Sequence, residues 1–214
     1  LYCFPEYAQR TRFENVWGKY TVEVKEGTSC GPGDNKFTAN TVSVVNDELK
    51  LQFKKGDNGW EGSEVRVILP EQEMPYTHGT YSFSVKTVSV LDADTSAVID
   101  TVLPQSLILG LFTWDDTESY AVHENWNHEV DVEISRWNIS GNPDAQFLVQ
   151  PPEDPQLYRF HSGAGSTYDQ GGHVYDFTWN PGKVTWYTDA GGGKNHSYAT
   201  EKAICPGLND YDQC

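Results

Sequence analysis

Between Asn127 and Trp137 the chain reads NHEVDVEISRW, and Glu129, Asp131 and Glu133 stand there two residues apart with valines between them. On a strand, residues 129, 131, 133, 135 and 137 share one face. That face carries Glu, Asp, Glu, Ser and Trp, while Val130, Val132 and Ile134 form an apolar face able to enter a core. A helix would scatter both sets, and three β-branched residues in five positions disfavour one. Solvation is the ordinary fate of such a polar face. Yet acids repeated every 6–7 Å or so, with no cation among them, repel one another. Like-charged neighbours tighten the hold on a proton, so one carboxyl can act as a general acid while another stays ionised as a nucleophile. That division of labour suits glycosidic cleavage with retention, which needs two carboxyls about 5–5.5 Å apart. Glu129 and Glu133 have Cα atoms about 13 Å apart on an extended strand, so the sheet must bend for their side chains to converge. Asp131 lies between them, placed to hydrogen-bond one and tune the proton of the other.

Trp137 continues the same alternation four residues beyond Glu133 and is the leading candidate to stack on a sugar face; a packed core ring is the alternative. Trp114, at the end of LILGLFTW, and Trp126, just before the acids, are further candidates of the same kind. Metal chemistry finds little support. His123 and His128 are five residues apart rather than four, in a segment with no helical pattern. The Asp92–Leu103 stretch lacks the glycine and terminal acid of a calcium loop. Gly191–Lys194 lacks the upstream glycine of a phosphate loop and is read as a flexible turn.

The elements that must carry these residues are strands. In KYTVEVK, Tyr20, Val22 and Val24 fall on one face and polar residues on the other. TVSVV and LKLQF flank Asn46-Asp47-Glu48 as a hairpin; EVRVIL, TYSFSVKTVSVL, LILGLFTW and AQFLVQP follow, and SLILGLF is expected to be a buried strand. VYDFTW and KVTWYTD are joined by Asn180-Pro181-Gly182, whose Pro-Gly pair suits a type II turn. No amphipathic helix of three turns and no internal repeat is present. Many short strands with regular turn signals predict an all-β protein, a two-sheet antiparallel β-sandwich of jelly-roll type.

With 214 residues and no linker or low-complexity tract, one domain spanning 1–214 is expected. A formal net charge of -16 repels phosphate backbones and argues against nucleic-acid binding. No apolar run is long enough to span a bilayer as a helix. The seven tryptophans and twelve tyrosines suit either a sandwich core or an aromatic carbohydrate cleft. Cys3, Cys30, Cys205 and Cys214 lack metal or redox spacing, and Asn138-Ile139-Ser140 and Asn195-His196-Ser197 are glycosylation sequons. An even cysteine count and a first residue other than Met favour a secreted protein with two disulfides, for which Cys3–Cys30 with Cys205–Cys214 is the most local of three pairings.

Glu-x-Asp-x-Glu on a strand resembles the signature of glycoside hydrolase family 16, the laminarinase and lichenase group. Flanking segments agree in order: GSEVRV (Gly62–Val67), YTHGTYSFSVK (Tyr76–Lys86), LILGLFTW, and GGHVYDFTWNPGKVTWYTD (Gly171–Asp189). The resemblance covers roughly residues 17 to 190. It implies a curved jelly roll, like that of concanavalin A, with a substrate cleft on its concave face, and retaining, endo-acting cleavage of β-linked polysaccharide. Glu129 would be the nucleophile, Asp131 the assisting acid and Glu133 the general acid/base, with His173 and Trp179 placed in the cleft, core packing being the equal alternative for Trp179. The run has no extra residue before its last Glu, the form seen in lichenases and xyloglucan-active members rather than the bulged form of most laminarinases. It departs from the family in Ile134-Ser135-Arg136-Trp137, where Phe-Leu is usual after the last Glu, and in Asp189-Ala190, where Asp-Gly is usual. No cofactor is implied beyond a structural calcium, and the expected partner is a β-glucan, bound by a monomer. A lectin on the same sandwich, or a cell-wall transglycosylase, is the alternative.

Overall fold

The computed structural model describes residues 11–27, 33–68, 70, 78–113, 129–150, 157–162 and 172–199. Trp114, Trp126, His123, His128 and all four cysteines lie outside these. Every regular element among the described residues is a strand or a single 3-10 turn. The chain forms two compact units, residues 1–74 and 75–214.

The first unit contains β1 (Arg12–Val16), β2 (Tyr20–Val24), β3 (Lys36–Phe37), β4 (Val42–Val45), β5 (Glu48–Leu51), β6 (Lys54–Gly56), β7 (Gly59–Gly62) and β8 (Val65–Ile68). They pair as β1-β2-β8, β3-β7-β6 and β4-β5. The β4–β5 turn is Asn46-Asp47, both at positive φ (51° and 59°), the conformation that a two-residue hairpin needs and that Asn and Asp tolerate. In β2, Val22 and Val24 are buried as their alternation predicts, but Glu23 is buried too. Its register partners on either side are Arg12 and Arg66, whose guanidinium groups approach its two oxygens at 2.8 and 2.7 Å. A carboxylate can leave water here because both of its oxygens meet a cation.

The second unit contains β9 (Gly79–Val85), β10 (Val90–Leu91), β11 (Val98–Asp100), β12 (Leu109–Thr113), β13 (Val130–Ile134), β14 (Ala145–Val149), β15 (Leu157–Phe160), β16 (His173–Asn180), β17 (Lys183–Thr188) and β18 (Lys194–Ala199). TYSFSVKTVSVL is thus two strands, β9 and β10, rather than one. Two four-stranded antiparallel sheets dominate, β12-β13-β14-β15 and β18-β17-β16-β9. Their apolar faces make one core: Val130, Val132, Ile134, Ala145, Phe147, Val149 and Phe160 from the first sheet, and Tyr175, Phe177, Trp179, Val184, Trp186 and Tyr198 from the second. Leu109 and Leu111 pack against this core from β12 but stay partly exposed, so that strand is less buried than its apolar run predicts.

Turns set the register. Pro181-Gly182 joins β16 to β17 with Asn180 opposite Lys183, and Gly182 has φ 65°, as the third position of a type II turn requires. After β17 the chain passes through Gly191 at φ 62°, where a Cβ would stand 2.4 Å from the His161 carbonyl oxygen. That glycine supplies both the left-handed backbone and the close approach, one residue later than an Asp189-Gly pair would have placed it.

Candidate active site

β13 is the second strand of its sheet, and its valines explain its place. Val130, Val132 and Ile134 enter the core, which forces the intervening residues to the opposite face. The ladder holding it is regular: Leu109 to Thr113 pair with Ile134 to Val130 on one side, and Val149 to Ala145 pair with Val130 to Ile134 on the other. No bulge interrupts the acid-bearing strand. Glu129 lies just ahead of it, and its carbonyl oxygen accepts the N–H of Gln150 at 2.9 Å, which carries the pairing one residue further.

Each acid has different surroundings. Asp131 is only 2% exposed and is flanked across the ladder by Phe112 and Leu148. Burial pushes its carboxyl well above the usual carboxylate range, and the charges of Glu129 and then Glu133 push in the same direction. A side-chain hydrogen bond with Glu129 raises it further. Gln150 Nε2 donates to Asp131 Oδ2 at 3.3 Å and offsets part of this rise.

Glu133 is half-buried. Its carboxyl is raised by burial, and a hydrogen bond from Gln146 and the charge of Arg159 hold the rise in check. Desolvation therefore raises both Asp131 and Glu133, and the repulsion anticipated from three adjacent acids adds to it at Asp131. The result is a row in which the buried middle acid and the last acid both hold a proton more tightly than an ordinary carboxyl does. Such a row can supply an ionised carboxylate and a proton donor on one face.

Gln146, Gln150 and Arg159 were not among the residues singled out from the sequence. Gln146 Nε2 donates to Glu133 Oε2, and Arg159 Nε donates to Gln146 Oε1 at 3.2 Å. Glu133, Gln146 and Arg159 are aligned in register across β13, β14 and β15. On the other flank of Glu133 stands Gly110, which places no side chain beside it. The available signal was parity: in AQFLVQ, Gln146 and Gln150 alternate with core residues and so belong to the face opposite the valines.

The other sequence candidates are placed as follows. Trp137 is beyond the end of β13, at φ 51° in a turn, and is 37% exposed. The strand alternation that would align it with the acids stops at Ile134; its N–H is held by Ser135 Oγ at 2.9 Å instead. His173 begins β16 in the second sheet, with Nδ1 3.2 Å from Asp189 Oδ1. Trp179, in the same strand, is wholly buried and packs its ring 4.5 Å from that of His78. Core packing, the alternative open for an aromatic there, is where the structure places Trp179, and no ring face is left for a sugar. Asn138 and Asn195, the sequon asparagines, are both exposed. Among the described residues, no group of three or more His, Cys, Asp or Glu side chains is arranged to hold a metal ion, and no helix is long and apolar enough to cross a membrane.

Two facing antiparallel sheets with an acid row on one of them place the chain among all-β jelly rolls. No family profile and no curated protein matches the sequence. Solved structures do match by fold. The Bacillus licheniformis β-glucanase superposes with a TM-score of 0.57 at 18% identity, over 94% of this chain and 83% of that one. A β-1,3-1,4-glucanase (lichenase) from a mouse hindgut metagenome gives 0.56 at 16% identity, over 87% and 76%. A glycoside hydrolase family 16 endo-glucanase from Bacteroides ovatus, in complex with G4G3G-2F-DNP, gives 0.53 at 15% identity, over 84% and 72%. The chain has the fold of these jelly-roll glucanases, as the resemblance implied.

Proposed function

We propose that this protein is a secreted, retaining endo-β-glucanase of the family 16 kind, working on a neutral β-linked glucan without a cofactor. The observation that carries this reading is the acid row itself: Glu129, Asp131 and Glu133 alternate along one strand, and Asp131 is buried with its carboxyl raised by that burial and by the charge of Glu129. An acid that holds its proton beside Glu129 can donate a hydrogen bond to it and keep it ionised and aimed, as a nucleophile must. Glu129 attacks the anomeric carbon and forms a glycosyl ester; Glu133, with its proton firmly held, protonates the departing glycosidic oxygen. Glu133 then takes a proton from the water that cleaves the ester, and both carboxyls return to their starting states. The unbroken β13 ladder, with no extra residue before Glu133, supports a glucan containing β-1,4 linkages over a purely β-1,3 one. Trp137, Trp114, Trp126 and His173 remain the residues proposed to touch the sugar chain.

The test is a panel of laminarin, mixed-linkage glucan, xyloglucan, agarose and carrageenan, read by reducing ends. Glu129→Gln and Glu133→Gln should each lower the rate by at least about 10³-fold, with the fold intact. The first-formed product should keep the β configuration by NMR. A fully active Glu133→Gln protein would end this assignment. Saturable glycan binding with no products would favour the lectin alternative.

A further inference from the structure

Gln146 sits between an anion and a cation that can only donate, and this restricts what its amide can do. The guanidinium of Arg159 has no acceptor atom, so the amide edge it meets at 3.2 Å must be the carbonyl oxygen. The NH₂ edge is then the one presented to Glu133 Oε2. With its carbonyl engaged, Gln146 can give a hydrogen bond to Glu133 but cannot take one from it. A protonated Glu133 must therefore place its hydrogen on the other oxygen.

We infer that Gln146, held in one orientation by Arg159, fixes the exchangeable proton of Glu133 on Oε1, and that Arg159 is thereby a positioning residue for proton transfer. The inference rests on the assignment of Glu133 as the acid. Arg159 need not touch the sugar; it acts through the amide. Without it, Gln146 can rotate and offer its carbonyl to a protonated Glu133, which stabilises the neutral acid and lets the proton settle on Oε2. The charged or titratable groups facing Glu133 among the described residues are few. Its own strand contributes Asp131, with Glu129 beyond; β15 contributes Arg159; β14 contributes the uncharged Gln146, and β12 only Gly110. The Arg159 charge acts on Glu133 directly as well, and that part must be separated from the relay.

A double-mutant titration separates them. Protein labelled with δ-¹³C glutamate is titrated by NMR, with the Glu133 resonance assigned by its loss in Glu133→Gln. Arg159→Met, at an exposed position, should raise the Glu133 midpoint by about one unit or more, and so should Gln146→Met. In the Gln146→Met background, Arg159→Met should add less than about half its single effect, because the two act in series. An unmoved midpoint in Arg159→Met overturns the relay outright, and full additivity in the double variant overturns it by leaving only a through-space charge effect. On whichever glycan the wild type cleaves, the alkaline limb of kcat/KM should move up with the NMR midpoint, and kcat should fall roughly tenfold with KM little changed. If no glycan is cleaved, the glucanase assignment fails, yet the titration still decides whether the relay exists.

Discussion

Trp186, in the middle of β17, donates its indole N–H to the main-chain carbonyl oxygen of Asp131 at 3.0 Å. The bond crosses the core from one sheet to the other and ends on the backbone of the acid-bearing strand. Trp186 also lies nearly parallel to Phe147, with ring centroids 5.9 Å apart, which anchors β14 beside it. The placement of the acids is therefore set partly from behind, by a residue that never reaches their face.

Trp186→Phe should separate that support from the packing it accompanies. It removes the donor and part of a buried ring, and should destabilise the protein by about 1–3 kcal/mol. A thermal melt should show a drop of about 3–10 °C. The cleavage rate should fall more than KM changes, since the substrate does not contact the ring. Unchanged melting would show that the inter-sheet bond contributes nothing.

Asp131 should carry a distinctive pH signature. Its folded pKa is raised from the ordinary 3.8, so the native state keeps a proton that the unfolded chain has already lost. Native protein then binds more protons than unfolded, and stability falls as pH rises from about 4 through the folded value. Asp131→Asn has no proton to keep. Its melting temperature should match the wild type near pH 3 and exceed it increasingly toward neutrality, while cleavage drops on the order of 10²-fold as Glu129 loses its tuned partner. A parallel pair of melting curves across that range would contradict the buried-proton account.

Trp137→Ala should do the reverse, sparing stability and weakening binding. The ring is partly exposed in a turn, so the change in unfolding free energy should stay within about 0.5 kcal/mol. If the ring stacks on a sugar, losing about 1–2 kcal/mol of binding raises KM on long glucans roughly 5–30-fold. An unchanged KM would remove Trp137 from the proposed substrate contacts.

Much of this was legible in the chain. Alternation located β2, β8, β14 and β16, and Asn46-Asp47 and Pro181-Gly182 marked two hairpins, because both signals depend on neighbours a few residues apart. The valine stripe behind Glu129, Asp131 and Glu133 was equally local. Glu23 was not: its burial depends on Arg12 and Arg66, 11 and 43 residues away, arriving on flanking strands. Trp137 was misaligned for a local reason, since the alternation was extended past Ile134 into a turn. Trp179 was left open between cleft and core because parity alone does not say which face of a strand meets the other sheet.

The sequence by itself determined the strands, the turns and a single row of three acids, since period-two alternation and backbone preference act within a few residues. Tertiary structure decided the surroundings of each acid. Pairing β14 and β15 beside β13 brought Gln150 to Asp131 and Gln146 with Arg159 to Glu133, and burial raised both acids, with neighbouring charges adding to the rise at Asp131. Proton affinity depends on the groups within a few ångströms in space, and Gln146, Gln150 and Arg159 lie 13 to 26 residues further along the chain than the acids they tune.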